Sequence, residues 1–176
     1  GGVDSGFNAG SGVDGQVYAI AVYPTNSVYA GKVLIGGDFA NYNGTAINNL
    51  ARLNADGSLD TNFNAGFGSG PDGAVHALAI QTGGQVLLGG SFTNINAVPA
   101  NRIARLNSDG TLDTSFAAAN GGGPNNVVEG IQLQPDNRIV VVGQFTLASG
   151  LTRNHVTRLL PQGAPDPTIN FGLGAN

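Results

Sequence analysis

Two stretches of this chain carry oxygen-bearing side chains at a spacing that suits a hard cation. Asn54-x-Asp56-Gly57-x-x-Asp60 recurs as Asn107-x-Asp109-Gly110-x-x-Asp113, and closely spaced oxygen ligands flanking a glycine resemble half of a calcium loop. The same residues also spell a hairpin turn, in which Asp accepts local backbone hydrogen bonds and Gly supplies a positive φ. The turn reading is preferred. The motif has too few carboxylates for an EF-hand, and a third copy has Leu160 and Gln162 where the others have Asn and Asp. Calcium at Asn54, Asp56, Asp60, Asn107, Asp109 and Asp113 stays the alternative, and no other cofactor is expected.

Catalytic chemistry is not expected. Asp60, Asp113 and Asp166 fall at intervals of 53 residues, as do Arg52, Arg105 and Arg158. Acids placed one per repeat are no carboxylate pair around a substrate. Their expected task is to accept backbone amides or to meet the arginines that share their period. His76 and His155 occupy different repeat positions, have no metal-spaced neighbours and read as ordinary strand residues. No Gly-x-Ser-x-Gly elbow is present. The glycine runs at 66–70 and 121–123 do not link a strand to a helix, so they read as connectors rather than phosphate cradles.

A binding surface is the remaining option. Asn41-Tyr42-Asn43 and Asn94-Ile95-Asn96 fall at equivalent loop positions and could form one rim subsite per repeat for a protein or glycan. The alternative is that Asn merely tolerates turn geometry there, and it is the preferred one. Asn43-Gly44-Thr45 is also a formal glycosylation sequon, meaningful only in a glycosylating secretory host.

The elements that must position these residues come from internal repetition. Phe39, Phe92 and Phe145 share the 53-residue interval, and so do Leu53, Leu106 and Leu159. Each copy reads as a series of short strands. The first run is 17–22, 75–80 and 128–133, and the second is 32–39, 85–92 and 138–145. A third run, 49–53, 102–106 and 155–159, leads through the Asp-Gly turn to an expected fourth strand at Leu59–Phe63 or Leu112–Phe116. Gly36-Gly37 and Gly89-Gly90 suggest a bulge or a close approach of another backbone. No segment carries the capped 3.6-residue periodicity of a helix. Four antiparallel strands per copy is the pattern of a β-propeller blade. The reading is therefore an all-β fold of three blades in one repeat domain, 1–176. Its repeats run at about 3–58, 59–111 and 112–164, with the start of another at 165–176.

Composition agrees. The chain has 29 Gly, only 10% charged residues and no Cys, against about a quarter charged in ordinary domains. Seven scattered Lys and Arg and a net charge of −4 leave no basic stripe for nucleic acid and no polybasic membrane signal. No apolar run approaches membrane-spanning length. With no leader ahead of Gly1, the chain is expected to be soluble and to be an excised or processed piece. Val3-Asp4-Ser5-Gly6-Phe7 and Pro165-Asp166-Pro167-Thr168-Ile169 are both versions of the fourth strand. That duplication fits a fragment of a longer array, or a homodimer whose two chains close a six-bladed ring.

The run from Val17-Tyr18-Ala19-Ile20-Ala21-Val22 through Val33-Leu34-Ile35-Gly36-Gly37-Asp38-Phe39 to Ala51-Arg52-Leu53-Asn54-Ala55-Asp56-Gly57-Ser58-Leu59-Asp60-Thr61-Asn62-Phe63 resembles the bacterial delta-60 repeat. The likeness covers nearly the whole chain. It implies β-propeller-like modules in long, often surface-exposed or secreted bacterial proteins, and no enzymatic activity. The third copy departs at Leu160, Gln162, Pro165 and Ile169, so its last hairpin is expected to be irregular. The expected function is a structural spacer or protein-interaction surface outside the cell or on its surface. The alternative is a carbohydrate-binding propeller with multivalent rim sites.

Overall fold

The computed structural model describes residue 2 and residues 4–169. Three blades of the expected order follow one another. Blade 1 holds β1 (Gln16–Val22), β2 (Val33–Asp38), β3 (Asn41–Tyr42), β4 (Thr45–Ala46) and β5 (Leu50–Leu53), then α1 (Thr61–Phe67). Blade 2 holds β6 (Val75–Ile80), β7 (Val86–Gly90), β8 (Asn94–Ile95), β9 (Val98–Pro99) and β10 (Ile103–Leu106), then α2 (Thr114–Ala119). Blade 3 holds β11 (Val128–Leu133), β12 (Ile139–Gly143), β13 (Leu147–Ala148), β14 (Leu151–Thr152) and β15 (Val156–Leu159).

The first, second and third long strands of each blade form an antiparallel sheet with the second in the middle, β1–β2–β5, β6–β7–β10 and β11–β12–β15. The expected fourth strand shrinks to one bridge per blade, Leu53 to Leu59, Leu106 to Leu112 and Leu159 to Pro165. Beyond the bridge, blades 1 and 2 turn into a short helix, which corrects the expectation of a strand through Phe63 and Phe116. The cause is local. Asp113 caps α2 by accepting from the amides of Ser115 and Phe116, as an N-cap acid does. In α1, Phe63 and Phe67 stand four residues apart and are both fully buried, so one helical face seals the blade edge. In blade 3 the turn keeps its bonds despite Leu160 and Gln162. Leu160 N donates to Ala164 O at 2.8 Å and Gly163 N to Leu160 O at 2.9 Å, so the expected irregularity does not reach the turn backbone.

Two of the three core clusters lie between blades, and the third, Phe39, Tyr42, Ile47, Ala51 and Leu53, lies within blade 1. One cluster joins Leu34, Leu50, Phe63 and Phe67 of blade 1 to Val75, Leu88 and Phe92 of blade 2. A second joins Leu87, Ile103 and Phe116 to Val128, Val141 and Phe145. Glycine makes this approach possible, since a Cβ on Gly36 would lie 2.6 Å from Val75 Cγ1. Gly37 instead faces Gln16 of its own sheet, where the β1–β2 register shifts between Val17 and Ala19. The bulge is thus found at Gly37, while what approaches Gly36 is the Val75 and Leu78 side chains of the next blade rather than another backbone. None of the helices among the described residues is long and apolar enough to cross a membrane.

Candidate functional site

The calcium-like turns hold themselves together with their own oxygens. Asp56 Oδ1 accepts from Ser58 N at 2.9 Å and Ser58 Oγ at 2.6 Å. Asp109 Oδ1 does the same with Thr111 at 3.0 and 2.7 Å. Gly57 and Gly110 supply φ values of 87° and 94°. The Ser58 and Thr111 hydroxyls hold the Asp56 and Asp109 carboxyls below the usual carboxylate range. Asn54 Oδ1 accepts from Lys32 Nζ at 2.7 Å, and Asn107 Nδ2 donates to Thr111 Oγ1 at 3.0 Å. The second acid of each motif points elsewhere. Asp60 Oδ2 meets Arg52 Nε at 2.8 Å and Lys32 Nζ at 2.7 Å, and Asp113 Oδ2 meets Arg105 Nε at 2.9 Å. Among the described residues, no three acidic or imidazole groups converge.

These Arg–Asp pairs form joints between blades. Arg52 Nη1 donates to the Ser108 carbonyl of blade 2 at 2.8 Å, and Arg105 Nη1 to the Pro161 carbonyl of blade 3 at 2.7 Å. The Arg52 guanidinium lies 4.1 Å from the Phe63 ring centre and that of Arg105 4.8 Å from Phe116, a cation–π placement. Arg158 repeats the ion pair with Asp166 at 2.8 Å. Burial raises the Asp60 and Asp113 carboxyls, but the hydroxyl, lysine and arginine donors outweigh it and leave both low.

The rim residues form hairpins. β3 and β4 pair around Asn43-Gly44, with φ of 46° and 79°, so Asn41, Tyr42 and Asn43 belong to a two-residue hairpin rather than an open loop. Asn41 Nδ2 donates to Asp14 Oδ2 at 2.6 Å, and Asn94 Nδ2 to Asp72 Oδ2 at 2.8 Å. Asn43 Oδ1 accepts from Ser11 N at 3.2 Å, and Asn96 Oδ1 from Gly70 N at 2.9 Å. Tyr42 is 3% exposed and its hydroxyl donates to Gly57 O at 2.5 Å. Asp14 and Asp72, whose part in these clamps the sequence reading missed, accept two backbone amides each. The Asn41 amide and backbone hold Asp14 low, and at Asp72 the Asn94 and Thr93 donors overcome a burial that works the other way. Their signal was present in Val13-Asp14-Gly15 and Pro71-Asp72-Gly73 ahead of the first strands of blades 1 and 2.

A second group was read as ordinary. Tyr18, His76 and Glu129 are the residues at which the first two strands of each blade slip register, and a bulge re-aims the side chain it carries. The Tyr18 and His76 rings stack with centres 5.0 Å apart, His76 Nδ1 lies 3.0 Å from Glu129 Oε2, and Gln144 Nε2 donates to Glu129 Oε1 at 2.8 Å. A polar strip therefore runs across the three innermost strands. His155 precedes β15 at φ 65° with Nδ1 3.0 Å from Gly143 O, so it shapes the entry to the strand rather than lying in it.

No curated protein matches the chain. Residues 31–63, 81–116 and 134–168 match the family described as "Domain of unknown function (DUF5122) beta-propeller", each match running from the second strand of a blade to its closing corner. The matches cover more than half of the sequence, and with three blades of the expected topology the chain belongs to this beta-propeller family.

Proposed function

We propose that this chain is a non-enzymatic propeller module of the delta-60 kind, serving as a rigid spacer or protein-interaction surface in a larger bacterial surface or secreted protein. One observation carries the reading: the recurring acids and arginines are spent on joining blades, as in the Arg105 bond to Pro161 O and the Arg105 pair with Asp113. A site that stores its charged groups in neutralised joints is built for stiffness, not for turnover. The surface setting is supported by the repeat resemblance and by a composition with a single Lys and no Cys.

A carbohydrate-binding module is the second reading, favoured by a groove that recurs at both blade junctions. One groove of about 430 Å³ is lined by Asn48, Pro71, Asp72 and Asn94, and its counterpart of about 360 Å³ by Asn101, Pro124, Asn125 and Leu147. A glycan array at high protein concentration separates the two. Absence of binding supports the spacer. Binding abolished by Asn48→Ala with an unchanged melting temperature supports the lectin and overturns the spacer.

A further inference from the structure

The two Arg–Asp joints between blades are built alike but covered differently. The β1–β2 turn is closed by Tyr23 N donating to Lys32 O at 3.0 Å, and the β6–β7 turn by Gln81 N donating to Gln85 O at 2.9 Å. Residues 24–31 lie inside the first turn and only 82–84 inside the second. The extra length carries Tyr29 onto the first joint. Its ring centre lies 4.8 Å from the Arg52 guanidinium and 5.3 Å from the ring centre of Tyr23. Gly84 of blade 2 backs it, where a Cβ would fall 2.8 Å from Tyr29 Cε2. With Phe63 at 4.1 Å and Tyr23 at 5.6 Å, Arg52 meets three rings.

The shorter turn of blade 2 brings no ring to Arg105. Gln81 stands where Tyr23 stands, and its Oε1 accepts from Arg105 Nη1 at 3.3 Å, as the Tyr23 hydroxyl accepts from Arg52 Nη1 at 3.3 Å. Among the described residues Phe116 is the one ring over Arg105, at 4.8 Å. Beside the guanidinium opens a cavity of about 320 Å³, with Gln81, Gln85, Arg105, Asn137, Pro161 and Gln162 among its walls. Gln81, Arg105 and Asn137 are the repeat equivalents of Tyr23, Arg52 and Gly84, the three residues around Tyr29. The cavity is therefore the counterpart of the place that Tyr29 fills one joint earlier. Its size suits a small ring, at the lower end of the roughly 300–1,000 Å³ of ligand pockets.

Taking the chain as a protein-interaction module, we propose that this cavity receives a tyrosyl side chain of a partner protein, its ring on the Arg105 guanidinium as that of Tyr29 lies on Arg52. A cation held in a largely buried place attracts an aromatic face more strongly than an exposed one does. Arg105 is the one charged wall and is already met by Asp113 at 2.9 Å, so a neutral ring fits better than an anion. The remaining walls are rich in carboxamides, which both donate and accept and so suit a ring with a hydroxyl at its edge. A sugar would want an aromatic platform, and the cavity has no ring among its walls. Asn137 replaces Gly84, so the incoming ring lies against a side chain where Tyr29 lies against bare backbone.

The probe is N-acetyltyrosinamide, titrated into the chain while the side-chain amide signals of Gln81, Gln85, Asn137 and Gln162 are followed by NMR. Saturable shifts of these signals are expected, with a Kd of about 1 mM. N-acetylphenylalaninamide, which lacks the hydroxyl, should bind at least about threefold more weakly. Two grafts replace residues 82–84 with a copy of residues 24–31, and both carry Asn137→Gly. The graft with the copied Tyr29 should lose probe binding, and the graft with Ala at that place should keep it. No saturation by about 10 mM, equal binding by the two grafts, or equal affinity for the phenylalanine analogue overturns the proposal. Tighter binding of adenosine overturns it in favour of a nucleobase. The titration and the glycan array fail separately: no tyrosine binding removes this site and leaves the spacer, whereas glycan binding lost in Asn48→Ala removes the spacer and leaves these shifts unchanged.

Discussion

Arg105 in the second blade and Pro161 in the third are joined by a hydrogen bond, guanidinium Nη1 to carbonyl oxygen at 2.7 Å, while Nε of the same arginine meets Asp113 at 2.9 Å. One side chain thus ties a blade to its own closing corner and to the next blade. Arg105→Met should remove both ties and leave Asp113 without a counter-charge. Losing one partner of a largely buried pair costs about 3 kcal/mol, read as a lowered denaturation midpoint. An unchanged midpoint would show that the joint is ornamental and that apolar packing alone sets the blade spacing.

Acid should weaken the molecule through the same joints. Asp60, Asp113 and Asp166 all titrate below an ordinary aspartate, Asp166 at about 2, because of the hydroxyl, backbone and arginine donors around it. A depressed folded-state pKa contributes stability above the unfolded value of about 3.9 that is lost as pH falls through the folded value. Melting temperature should therefore hold from neutrality to about pH 5 and fall between about pH 4 and 2. Asp166→Asn should flatten that fall, and a melting temperature that does not change between about pH 5 and 2 would show that these carboxylates carry none of the stability.

The His76–Glu129 contact should matter little to stability. Its 3.0 Å separation is short, yet the two side chains are 27% and 41% exposed, and exposed pairs contribute about 1 kcal/mol at most. Glu129→Ala should lower the unfolding free energy obtained from urea denaturation by less than that amount. A larger loss would mean that the bulge itself depends on the strip of Tyr18, His76 and Glu129.

The strand order and the blade repeat were legible because the interval between equivalent residues such as Phe39 and Phe92 does not drift, and because apolar and polar residues alternate in the third run of each copy. The closing corner was not legible as a helix. Asp60-Thr61-x-Phe63 looks like one side of an Asp-Gly hairpin, and only the burial of both Phe63 and Phe67 reveals the helical spacing that wins. The Arg–Asp partnership followed from a shared period. The Ser108 and Pro161 acceptors did not, since a backbone carbonyl of the next blade leaves no trace in side-chain identity. Tyr18, His76 and Glu129 share one repeat position, yet they read as ordinary strand residues because a bulge is a backbone event that three dissimilar side chains do not announce.

Gly89 should be the least replaceable residue of the second strand. Both its backbone neighbours sit in the middle of a sheet, and a Cβ built there overlaps Val128 and crowds Ile131 at 3.0 Å. Gly89→Val must push β11 away or force side chains off their rotamers, an overpacking that costs about 3 kcal/mol. Position 142 makes the internal control, because it is the same repeat site with Val in place and no blade described against it. Val142→Ala should shift the midpoint far less than Gly89→Val. If the two substitutions cost the same, the glycine would be there for strand geometry rather than to seat Val128 and Ile131.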